Sequence, residues 1–61
     1  MHGDIHVYDD DAGILYLADG REISVNPRCF SSVDQAIREL AKWAKGRNLI
    51  GADDDVAAFV I

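Results

Sequence analysis

Sixty-one residues make one small domain: a chain this short buries only about 60% of the surface its unfolded form exposes, which supports a single core and excludes a two-domain enzyme. At 49% hydrophobic and 28% charged, the composition is that of a folding globular chain rather than a disordered one. Six basic residues stand against eleven acidic ones, and the net charge of -5 with a pI near 4.6 argues against a general binder of phosphate backbones.

Asp4-Ile5-His6-Val7-Tyr8 alternates at period two, with Ile5 and Val7 on one face and His6 and Tyr8 on the other, and predicts a strand that stops at Asp9-Asp10-Asp11-Ala12-Gly13. Ile14 to Leu17 and Glu22 to Val25 predict a second and a third strand, joined through the hairpin signal Asp19-Gly20. A two-residue loop would set Tyr16 opposite Ile23. A three-residue loop over Ala18-Asp19-Gly20 sets Leu15 opposite Ile23 and Leu17 opposite Arg21, and it is favoured because it groups Leu15, Leu17, Ile23 and Val25 on one face. In either register large apolar side chains fall on the second face of the sheet, beyond the reach of one helix.

Asn26-Pro27-Arg28 breaks the third strand, since proline gives no donor to a ladder. Ser32 with Gln35 fits a capping box, and Val33, Ala36, Ile37, Leu40, Ala41 and Ala44 recur at the helical period, so a helix is expected over about 32–45. Trp43 flanks that stripe, Asp34 and Arg38 are spaced as an i,i+4 pair, and Gly46 is expected to end the helix as a left-handed cap. Val56 to Ile61 holds no polar residue and predicts a strand covered on both faces, parallel to strands one and three if it joins their sheet. The expected fold is α+β, a single domain over 1–61 of order β-β-β-α-β: an antiparallel three-stranded meander, one helix packed on one face, and a C-terminal apolar strand.

Charge is segregated. Residues 1–25 carry six acids against Arg21 alone, the middle of the chain is basic, and Asp53, Asp54 and Asp55 open the last segment. The acidic loops Asp9-Asp10-Asp11 and Asp53-Asp54-Asp55, with Asp19 and Glu22, are therefore the expected contacts for a partner with a basic surface. A last strand parallel to the first puts the two loops at opposite sheet ends, so one of them is expected to serve as the contact, and the first is favoured because Asp19 and Glu22 belong to the neighbouring hairpin and Asp4 to its strand. Arg38, Lys42 and Lys45 share the outer helix face and form the alternative site, for an acidic or nucleic-acid partner.

Catalytic parts are missing. Calcium loops close on a bidentate glutamate, yet the position eleven after Asp9 is Gly20. His2, His6 and Cys29 offer no zinc spacing, and Cys29, ahead of Phe30 and a helix start, reads more naturally as a small buried hydrophobe than as a nucleophile served by His6. No catalytic residue, cofactor or metal is expected. One cysteine gives no internal disulfide, and no apolar run approaches the roughly 18 residues of a membrane span, so a cytoplasmic location is expected.

The element order, the acidic loop between two β-prone stretches and Cys29-Phe30-Ser31 leading into the helix resemble, over roughly residues 5 to 45, the partial ribonuclease-H-like domain of HicB-type antitoxins. The glycine-proline signature between second strand and helix is missing, and no functional residue is carried over. In size and charge the chain is also similar to anti-CRISPR proteins and small antitoxins, and the expected function is that of a non-catalytic, protein-binding inhibitor of nucleic-acid-handling machinery. An accessory or structural subunit of a phage or plasmid assembly is the alternative. The excess of apolar surface leads to the further expectation of a homodimer.

Overall fold

The computed structural model describes residues 3–59. Its elements are β1 (Ile5–Asp9), β2 (Ile14–Tyr16), β3 (Glu22–Ser24), a 3₁₀ turn over Pro27–Cys29, α1 (Val33–Gly46) and β4 (Asp55–Ala58). The strands form one sheet in the order β3-β2-β1-β4. β1 pairs antiparallel with β2 and parallel with β4, so the sheet is mixed, with the antiparallel meander at one side and the C-terminal strand returned beside β1 by the helix.

The β2–β3 hairpin takes the three-residue loop. Leu15 faces Ile23, the Leu17 N–H donates to the Arg21 carbonyl at 2.8 Å, and Gly20 adopts φ +99 where the strand resumes. Gly13 closes the other turn: its φ is +67 and its N–H reaches the Asp9 carbonyl at 2.8 Å. A Cβ there would come within 2.6 Å of the Val25 carbonyl oxygen, so the turn demands glycine twice over, for conformation and for space.

Ser32 caps α1 by accepting the Gln35 N–H at 3.1 Å. Gln35 reaches back one residue further than a capping box requires, accepting from the N–H and the hydroxyl of Ser31. The C-terminus departs from expectation. Gly46 is the last helical residue, and the left-handed position is Asn48, at φ 59. Asn48 and Leu49 donate to the carbonyls of Lys45 and Ala44, a Schellman closure that sends the half-buried Leu49 back onto the core. Among the described residues Asp34 and Arg38 form no ion pair; the Arg38 guanidinium instead donates to the Asp34 backbone carbonyl.

The core lies between α1 and one sheet face. Tyr8, Leu15 and Leu17 from the sheet meet Ala36, Leu40 and Ala44 from the helix, with Ile50 and Val56 completing the cluster. β1 buries His6 and Tyr8 and turns Ile5 outward. The last segment corrects the sequence expectation: β4 is an edge strand with its helix-facing Val56 buried, Ala57 and Ala58 half-buried and Phe59 exposed, and so it is covered on one face only. Val60 and Ile61 lie outside the described residues, as does His2.

Candidate functional site

Antiparallel alternation carries β1 to the end of the sheet where β3 finishes and α1 begins. At that end the Asp9 side chain accepts the N–H groups of Asp11 (3.0 Å) and Ala12 (3.1 Å), an Asx-type turn that holds the loop compact. The Tyr8 hydroxyl emerges from the core to donate to Asp10 at 3.1 Å. Burial, then the Asp10 hydrogen bond and nearby negative charge, push the Tyr8 phenol above its ordinary pKa. The first turn of α1 supplies Val33 and Asp34, and the end of β4 supplies Ala58 and Phe59. Together with Asp9, Asp10 and Asp11 they enclose an open cleft of about 480 Å³, with four carboxylates on its walls and an apolar floor.

Asp34 was missed in the sequence, although the signal was present. Three strands running up, down and up deliver the helix start to the end where β1 stops, so a first-turn acid lies at the same end as the loop after β1.

The other acidic residues lie elsewhere. Asp19 sits on the hairpin loop at the opposite end, where the Arg21 backbone N–H and then its guanidinium bind the carboxylate and lower its pKa. Glu22 projects from the sheet face away from the helix, as does Asp55. Asp54 is occupied internally. It accepts the Asp4 N–H at 2.8 Å, the Gly51 N–H at 2.8 Å and the His6 ring at 2.9 Å, and these donors, the histidine foremost, hold its carboxyl at about 2.

The His6–Asp54 contact has the appearance of a catalytic dyad and lacks its chemistry. The Ala18 N–H donates to His6 Nδ1 at 2.8 Å, so the proton sits on Nε2, directed at Asp54. Both ring nitrogens are thereby used, leaving no lone pair to act as a base for Cys29 or any other nucleophile. Cys29 itself is exposed at the end of the 3₁₀ turn, not buried as its sequence context suggested, because Pro27 ends the strand early and the short turn holds it outside the core. Among the described residues no three His, Cys, Asp or Glu side chains converge on a point where a metal would sit.

The alternative basic face also exists. Arg38 and Lys42 are exposed on the side of α1 away from the sheet, with Lys45 half-buried beside them and the acid Glu39 exposed nearby. A second groove, of about 300 Å³, runs between the helix and the β3 edge past Val25, Phe30, Leu40 and Trp43, with Arg47 stacked 5.6 Å from the Trp43 ring centre. None of its lining is cationic.

No helix among the described residues is long and apolar enough to cross a membrane. Comparison with known proteins finds no matching family, no similar curated protein and no similar solved structure, so the outline resemblance to HicB-type domains has no match behind it.

Proposed function

We propose that the chain is a non-catalytic protein-interaction domain whose cleft takes a lysine or arginine side chain of a basic partner. The observation that carries this reading is the pairing of Asp9, Asp10, Asp11 and Asp34 with the floor of Val33, Ala58 and Phe59. A cationic side chain has an aliphatic stem and a charged head, and it gains on both counts only where apolar floor and acidic rim coincide. A groove built for a phosphate backbone presents such side chains in rows. Occupying it would inhibit machinery that handles nucleic acid, and the net charge of -5 suits a protein that acts by resembling the charge of that substrate.

The test is a titration of isotope-labelled protein with a synthetic alternating Ser/Lys peptide, followed by NMR. The expected result is movement of the amide signals of Asp10, Asp11, Asp34 and Phe59, weakening steeply with salt and lost when Asp10, Asp11 and Asp34 are changed to asparagine. Asp9 is left intact because it holds the turn. Equal response to a Ser/Glu peptide, or a response confined to Arg38 and Lys42 with a DNA or RNA oligonucleotide, would overturn the reading.

A further inference from the structure

The helix covers one face of the sheet and leaves the other open. By strand register the open face carries Ile14 and Tyr16 on β2, Ile5 and Val7 on β1 and Ala57 on β4, with Phe59 continuing the alternation through its N–H bond to the Tyr8 carbonyl. Ile5, Tyr16 and Phe59 are 57%, 38% and 54% exposed. Single exposed apolar side chains are ordinary, whereas a patch continuous across three neighbouring strands marks a contact surface.

What surrounds the patch identifies its occupant. The same register puts Asp9 at one end of this face, Glu22 on its β3 side and Asp55 at the foot of β4. No lysine or arginine occupies a strand position on this face. Arg21, opposite Leu17, points to the helix side, where its guanidinium donates to the Leu49 carbonyl at 3.3 Å, and Arg38 and Lys42 lie beyond the helix. An apolar centre whose charged strand positions are all acidic complements a surface with an apolar centre and a cationic rim.

We propose that the open sheet face is a second docking surface, for a protein segment that presents aliphatic or aromatic side chains flanked by lysine or arginine. It goes beyond the cleft, sharing only Asp9 and Phe59 with it, and its charge preference follows from Glu22 and Asp55 as well, which lie outside the cleft. A second copy of this chain fits the apolar centre but not the rim: an isologous pairing sets the same three carboxylates of each copy against the other's, with no cation between them. The homodimer expected from the apolar excess is accordingly the competing outcome.

Three synthetic strand-like peptides test this on the labelled full chain: alternating Leu/Lys, Leu/Glu and Ser/Lys. The Leu/Lys peptide is expected to move the amide signals of Ile5, Val7, Tyr16 and Ala57. Its affinity should fall about tenfold in Tyr16→Ser, as truncating an interface aromatic commonly does, with the melting midpoint kept because that ring lies outside the core. The Ser/Lys peptide should move cleft signals only. Equal effects of Leu/Lys and Leu/Glu, or Leu/Lys shifts confined to the cleft, would overturn the proposal while leaving the cleft reading in place. Loss of the Ser/Lys response with the sheet-face response retained would do the reverse. A sedimentation-equilibrium dimer that Tyr16→Ser converts to a monomer would give the face to a second copy and also overturn it.

Discussion

Burying a histidine costs free energy unless both ring nitrogens find partners, and His6, 4% exposed, finds them in two segments remote in sequence. Ala18 belongs to the hairpin and Asp54 to the turn before β4, so one ring ties the start of β1 to both its neighbours. Asp54 extends the tie through the N–H groups of Asp4 and Gly51. The carboxyl is held at about 2 against 3.8 in an unconstrained chain, so as pH falls the unfolded state takes up the proton first. The stabilisation is whole above the unfolded value and is lost as pH drops from 3.8 towards 2. Asp54→Asn should therefore unfold at lower urea than the parent at neutral pH, and the gap between the two midpoints should close across that acid range. Asp19, whose pKa is lowered by Arg21, titrates alike in both proteins and cancels. A gap that stays constant with pH would show that the carboxylate is not the anchor.

Among the elements, the helix and the hairpin were the most legible, because each is specified by neighbours in sequence. The capping serine, the 3.6-residue stripe and the glycine of the three-residue loop all act within a few positions. What sequence did not convey depends on distant partners. Alternation in β1 gave two faces, but His6 and Tyr8 are amphipathic, and only Asp54, Ala18 and Asp10 make their burial affordable. The apolar run in β4 read as doubly covered, yet such a run does not distinguish a central strand from an edge strand with one face open. The cleft is half legible in the sequence: its three loop aspartates stand out, whereas Asp34 reads as half of an i,i+4 pair on the helix surface. Gly46 shows how a local rule can fail by two residues: Asn48 takes the left-handed position instead, and a Cβ on Gly46 would meet nothing within 4 Å. Gly46→Ala should thus stabilise the protein by about 0.4–1 kcal/mol in urea unfolding, by restricting the unfolded chain and improving helix propensity. A cap glycine would respond with a loss.

At the scale of the whole molecule, the acidic cleft lies at the first turn of α1, with Arg38 at its border, and Lys42 and Lys45 lie two to three turns further along the helix, about 12 and 16 Å from Asp34 by helix rise, in a body measuring 32 × 21 × 17 Å. The Debye length is about 8 Å at physiological ionic strength and about 30 Å at 0.01 M salt. In physiological salt each pole therefore acts on an approaching molecule almost alone, whereas in dilute salt the whole charge distribution is felt. This separates the two candidate faces without knowledge of the natural partner. With the Ser/Lys peptide as probe, reversing Lys42 and Lys45 to glutamate should speed association in dilute salt, by adding to the attractive field, and should leave the rate unchanged at physiological salt. Asp10→Asn with Asp11→Asn should slow association under both conditions, because those carboxylates line the contact itself. Stopped-flow rates at the two ionic strengths check both expectations. Were the basic stripe the working surface for this probe, the double reversal would instead dominate the rate at physiological salt, and the aspartate changes would matter only when salt is low.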